Sequence, residues 1–291
     1  LVETPEIKAI LRLIDDPDQE VYDAVQEKIV SFGRPIIPNL ENLWENAQDL
    51  FLQERIERII HCIHFEDLKT DWQHWLAGSR DLLQGAILVS RYHYPALDTT
   101  QIRTDLEKIR RNVWLELNSY LTAMEKIHVM NSVLFDFSKI SGEAVQADQP
   151  ERFFIHKVLE THTGNKWGIG LLYLILCEQL DLPVNAIAVP EYLIFGYQQT
   201  EFPFTTKNFA QQHPFQFYLD PQNGQMYSAK DVEHFLQKKY PEMVKNGIQP
   251  LDNAGYLHAL LIELSNCFQS EAMHYKYQEL RFLASMLAPE G

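Results

Sequence analysis

The stretch that most constrains the fold is Lys166 to Leu180, Lys-Trp-Gly-Ile-Gly-Leu-Leu-Tyr-Leu-Ile-Leu-Cys-Glu-Gln-Leu. Its apolar residues fall on nearly every side of a helix. A helix with no face for water must lie at the centre of a domain, covered by other elements. Thr161-His162-Thr163-Gly164-Asn165 interrupts the chain before it, and Pro183 stops it. Its longest apolar run, Trp167–Cys177, is too short to cross a bilayer, which takes about 20 residues. Val184–Val189 and Tyr192–Tyr197 read as strands joined by a Pro190-Glu191 turn, and Phe215–Leu219 as a third strand. Asp220-Pro221-Gln222-Asn223-Gly224 is a strong turn signal, with Gln225–Tyr227 as a short return strand. A short helix at 150–159 precedes the buried one, and helices over 228–239, 252–268 and 270–288 follow the strands.

The rest is helical in pattern. Glycine is scarce, 12 in 291 residues, as expected of a chain rich in helix formers. A first helix over 5–14 carries Ile7, Ile10, Leu11 and Ile14 at helical spacing. Asp18 is placed to cap a second, with Val21, Val25, Ile29 and Phe32 on one face and Gly33 ending it. Pro35 opens a third with Ile36, Leu40, Leu43 and Trp44, and a fourth runs over 50–61 with Leu52, Ile56, Ile59 and Ile60. Further helices are expected at 67–76, 79–91, 99–118 and 123–136. The polar, aperiodic segment 138–151 reads as a loop and domain boundary.

Residues 5–61 resemble a HEAT-type repeat through Asp-Pro-Asp-Gln-Glu-Val at 16–21, Ala24, Gly33 and Pro38-Asn39-Leu40. Such a unit needs neighbours to bury its face. Asn253–Pro289 resembles a tetratricopeptide-type helix pair, with Tyr256, Leu260, Leu264 and Phe268 facing Tyr275, Leu280, Leu283 and Leu287. The division expected is a helical domain over 1–137, a core over 138–240 and a helix pair over 241–291.

The order Leu-Glu-Thr-x-x-Gly (159–164), buried helix, x-Leu-Pro (181–183), strand, Pro-x-x-strand, then strand-Asp-Pro-x-Asn-Gly resembles the transglutaminase-like superfamily. The nearest branch is bacterial, with a helical region before the core and a tetratricopeptide-like tail. The resemblance implies an α+β fold with a papain-like core: a Cys heading the buried helix, a His on one strand, and an Asp or Asn on the next. That layout has a physical logic. A helix N-terminus lowers a thiol pKa, a neighbouring His takes the proton, and a carboxylate orients the His. Carried over residue by residue, the nucleophile position is Lys166, the His position is Tyr192, and the Asp remains as Asp220. The three are expected to form a hydrogen-bonded cluster where the triad would be. Cys177 is no substitute, being about 16 Å along the helix at 1.5 Å per residue. It reads as a packed core residue, as do Cys62 and Cys267.

Lys plus Arg is 25 and Asp plus Glu is 40, a formal charge of −15. That argues against nucleic acid, whose binders neutralise phosphates, and against an anionic membrane surface. Three cysteines, with no CxxC, fit a reducing compartment, so the expected location is the cytoplasm. The chain starts at Leu1, so its natural N-terminus is left open. His61-Cys62-x-His64 has no second ligand pair nearby in sequence and reads as histidines near a helix end. No cofactor or metal is expected, since phosphate-loop, HExxH and Gly-x-Ser-x-Gly patterns are absent from the sequence. The expected function is a non-catalytic protein-interaction scaffold on a degenerate core, with a protein partner. The alternatives are a small-ligand binding module in the vestigial cleft, or a noncanonical amide hydrolase or acyl transferase.

Overall fold

The computed structural model describes residues 5–146, 148–198 and 215–287. The chain divides into two compact units, Leu1–His74 and Trp75–Gly291.

In the first unit the expected stripes fold onto one another. Helices α1 (Pro5–Arg12), α2 (Gln19–Val30) and α3 (Ile37–Asn46) and the first part of α4 (Leu50–Ala77) enclose Ile7, Ile14, Val25, Ile29, Ile36, Leu40, Ile56 and Ile59. Asp18 caps α2 by accepting from Glu20 N–H at 2.9 Å. Arg55 is only 7% exposed. Its guanidinium donates to the Ile14 and Asp16 carbonyls at 2.8 and 2.6 Å and lies 4.2 Å from the Tyr22 ring centroid. A buried cation so satisfied closes the turn between α1 and α2. Two expectations are corrected. Trp44 stays on the surface, with its indole N–H donating to Glu57 at 2.9 Å. The helices expected at 50–61 and 67–76 are one, because Cys62–Glu66 contains no glycine or proline to break it. His61 and His64 therefore lie within a helix, away from its end.

The second unit holds α5 (Leu82–His93), α6 (Thr99–Glu116) and α7 (Ala123–Asn131), which passes into a π-helical stretch at Ser132–Phe137. Next come β1 (Ser141–Glu143), α8 (Ile155–Thr161), β2 (Thr163–Asn165) and α9 (Lys166–Gln179). The antiparallel sheet is β3 (Val184–Val189), β4 (Tyr192–Gln198), β5 (Phe215–Leu219) and β6 (Met226–Ser228), in that spatial order. Helices α10 (Ala229–Lys239), α11 (Pro241–Lys245), α12 (Asn253–Ser265) and α13 (His274–Ser285) complete the described chain. The fold is α+β and mostly helical, as expected. The final residue of the helix expected at 270–288 lies outside the described residues.

Helix α9 is the axis of this unit, and every residue from Trp167 to Cys177 is buried. It covers one face of the sheet, where the Tyr173 and Phe195 rings are 5.9 Å apart. Helices α10 and α11 cover the other face, with Leu236, Val232 and Met243 against Ile187, Val189 and Tyr218. Close packing around the head of α9 requires Gly168, where a Cβ would fall 2.2 Å from the Arg152 carbonyl oxygen. The Tyr256 hydroxyl of α12 donates to the Trp167 carbonyl at 2.7 Å, and α13 packs on α12. Asp181 closes α9 at φ +53°. An aspartate tolerates that left-handed conformation better than most residues.

The segment 138–151 is not simply a loop. Ser141–Glu143 pairs in parallel with Thr163–Asn165, and Gln222 donates to the Glu143 carbonyl at 2.7 Å. Three residues of Ser-Gly-Glu have no alternation to reveal a strand, so the pairing depends on neighbours distant in sequence.

Asn131 joins α7, α9 and the turn after β5. It accepts from the Tyr173 hydroxyl at 2.9 Å and donates to the Gly224 carbonyl at 2.7 Å. Gly224 has φ +71°, and a Cβ there would meet the Asn131 side chain at 2.5 Å. Asn131→Ala strands the buried Tyr173 hydroxyl, so urea unfolding is expected to lose about 2–4 kcal/mol. His156 sits against Tyr94 at 4.6 Å, and neither ring nitrogen has a hydrogen-bond partner among the described residues. Burial, then the Lys157 charge, lowers its pKa from 6.5 to about 4. The unfolded chain thus takes up the proton first, and stability falls as pH drops from about 6.5 to about 4, by up to about 3 kcal/mol. His156→Phe is expected to flatten that part of the stability–pH curve, and an unchanged slope would contradict the assignment.

Candidate functional site

The three positions carried over from sequence lie where helix, strand and turn chemistry put them. Lys166 is the first residue of α9. Asn165, wholly buried, caps that helix by accepting from the Trp167 and Gly168 N–H groups at 3.0 Å each. This satisfies two of the donors every helix leaves open at its start. Tyr192 opens β4, after a Pro190-Glu191 turn in which Glu191 has φ +68°. Asp220 follows β5 and folds the turn onto itself: its carboxylate accepts from Gln222 N–H at 2.8 Å and its carbonyl from Gly224 N–H at 2.8 Å.

The expected hydrogen-bonded cluster does not form. The Lys166 ammonium donates to the Glu191 carbonyl at 3.3 Å. Tyr192 instead faces α10, with its ring edge-on to Phe235 at 5.8 Å and its hydroxyl accepting from the Lys239 ammonium at 3.2 Å. The reason is strand alternation. Tyr192 shares a face with Ile194, which packs among the residues under α10, whereas Phe195 faces α9.

Tyr192 and Asp220 do meet, as walls of one cavity of about 360 Å³. The cavity lies between the sheet end and α10, and its other walls are Val189, Leu193, Ile194, Tyr227, Asp231, Val232, Phe235 and Leu236. Lys166 is not among them. Trp167 does not plug it, being packed on Tyr256 at 5.7 Å. The rim carries a compact charged group. Lys239 donates to the Glu191 carboxylate at 2.8 Å, and its ammonium lies 4.6 Å from the Tyr192 centroid and 5.3 Å from that of Tyr240. Hydrogen bonds to Glu191, Tyr240 and Tyr192 raise the Lys239 pKa, and the Lys239 hydrogen bond lowers that of Glu191. The sequence singled out none of Asp231, Phe235 or Lys239. Their signal was spacing: steps of four put all three on one face of α10.

No cysteine is among the described residues lining this cavity. Burial pushes the Cys177 thiol far above its ordinary range and that of Cys267 up to about 11, so neither is a ready thiolate. Among the described residues no group of three or more His, Cys, Asp and Glu gathers to hold a metal. No described helix is long and apolar enough to cross a membrane.

The family model described as Transglutaminase-like superfamily matches residues 100–261. Over 113 residues the chain is 21% identical to the UPF0162 proteins of Xylella fastidiosa strains Temecula1 and 9a5c. That match spans 39% of this chain and 40% of each relative's length. No solved structure matches. The matched core spans α9, the sheet and the turn at Asp220, and carries over more than half of the sequence: this chain belongs to the transglutaminase-like superfamily.

Proposed function

We propose that this protein is a non-catalytic interaction protein built on a degenerate transglutaminase-like core. Lys166, Tyr192 and Asp220 stand at its vestigial triad positions. The observation that carries this reading is the engagement of Lys166 and Tyr192 with separate partners, the Glu191 carbonyl and the Lys239 ammonium. Nucleophilic acyl chemistry needs a nucleophile and base within about 3 Å of each other. A lysine at a helix start, bonded to a carbonyl and with no imidazole partner among the described residues, supplies neither role. The cavity at Tyr192 and Asp220 retains a volume within the range of binding pockets, so recognition persists where covalent chemistry has lost its parts.

On this reading residues 5–61 are a HEAT-like repeat at the head of a helical region over 1–137, and 138–240 is the core. The helices of 241–291 form a tetratricopeptide-like pair that caps it. The protein is bacterial and cytoplasmic and takes a protein partner, with no cofactor, nucleic acid or membrane.

The test combines an amide and ester substrate panel with affinity capture, on wild type, Lys166→Ala, Asp220→Ala and Phe235→Ala. Expected are turnover at the uncatalysed rate throughout and one partner retained by wild type but lost on Phe235→Ala. Turnover by wild type that falls tenfold or more in Asp220→Ala, about 1.4 kcal/mol of transition-state stabilisation, would restore an enzyme.

A further inference from the structure

The cavity has a chemical character of its own. The described charged residues lining it are Asp220 and Asp231, both acidic. Each carboxylate has one oxygen committed within the protein: Asp220 to Gln222 N–H at 2.8 Å, and Asp231 to the Ser228 hydroxyl at 2.7 Å. The other oxygen of each has no hydrogen-bond partner among the described residues. The same walls include the rings of Tyr192, Tyr227 and Phe235, all substantially exposed. Aromatic faces and carboxylates around an apolar floor favour a cation with an apolar stem. The rim already does this with the chain's own side chain, since Lys239 rests on Tyr192 and bonds Glu191.

We propose that this cleft recognises a basic segment of a partner protein by taking in an arginine side chain. Its guanidinium lies among the aromatic walls and pairs with Asp220 and Asp231. Arginine suits the site because a planar guanidinium stacks on rings and engages carboxylates along its edge. A volume of about 360 Å³ admits one long side chain. The formal charge of −15 favours the approach of a basic partner. Lys239 competes for the mouth of the cleft through its contact with Tyr192. This inference rests on the cleft being a recognition site, as proposed above, and adds what is recognised.

The test measures binding of acetyl-Leu-Arg-Leu-Arg-Leu-amide, its Glu-for-Arg counterpart, and agmatine as a free guanidinium, by calorimetry on the full chain. The arginine peptide is expected to bind. Asp220→Asn with Asp231→Asn is expected to weaken it about tenfold or more, as loss of charge-assisted hydrogen bonds does. Lys239→Met is expected to tighten binding several-fold, whereas Lys238→Met, with the same charge change, leaves it near wild type. A gain of binding in Lys239→Met cannot come from misfolding. Equal binding of the glutamate peptide, lost on Phe235→Ala, would overturn the choice of arginine and leave the cleft as a recognition site. Agmatine binding as tightly as the peptide would overturn the partner segment in favour of a free small cation. Undiminished peptide binding in the double Asp variant, or no peptide binding at all, would overturn the inference. The substrate panel and capture experiment decide the non-catalytic reading independently of either result.

Discussion

The second unit depends on one buried side chain, Asn165. Its amide oxygen accepts from the Trp167 and Gly168 N–H groups of α9 at 3.0 Å, at a point fully sealed from water. A helix start placed in the interior must have its donors satisfied there, because no solvent reaches them. With the cap fixed, the register of α9 is fixed. Lys166 becomes its first residue, Gly168 comes against the Arg152 backbone, and Tyr173 comes within reach of Asn131. Asn131 in turn holds Gly224, and so the turn that presents Asp220. A single chain of contacts therefore runs from the cap to the acidic wall of the cleft.

The chemistry of the cleft follows from two local facts. The first is composition: a lysine is the first residue of α9. An ammonium at the positive end of a helix gains nothing there, and Lys166 turns to the Glu191 carbonyl. The second is geometry. Strand alternation directs Tyr192 away from α9 and toward α10, where Phe235 and Lys239 meet it. Lys166 and Tyr192 engage separate partners, while Tyr192 and Asp220 wall one cavity. What remains is a cavity between sheet and helix, with aromatic walls, an apolar floor and carboxylates.

Elements with strong local signals were legible in the sequence. The apolar character of Trp167–Cys177 located the central helix, and Asp-Pro-Gln-Asn-Gly located the turn. The strand Phe215–Leu219 has the bounds its pattern implied. What was not legible depends on partners far along the chain. Ser141–Glu143 is a strand only because Thr163–Asn165 lies beside it. The continuity of α4 needed the absence of a breaker to outweigh a polar stretch. At the site, motif spacing found Lys166, Tyr192 and Asp220 but could not say which face of β4 Tyr192 takes. It also passed over Lys239, whose role arises from the Glu191 turn 48 residues away in sequence. Periodicity reports which residues are buried; it does not report which of two helices a strand residue meets.

The most direct measurement of the central claim is the pH dependence of thiol alkylation by iodoacetamide, on wild type and on Lys166→Cys under native conditions. If Lys166 heads α9 and burial holds Cys177 and Cys267 as neutral thiols, wild type shows no fast phase with a depressed midpoint. The variant then gains one, with a midpoint below the ordinary thiol value of about 8.5. A fast-reacting native thiol with a depressed midpoint, or a Lys166→Cys thiol no more reactive than Cys177, would contradict this account of the helix head and of what the core has lost.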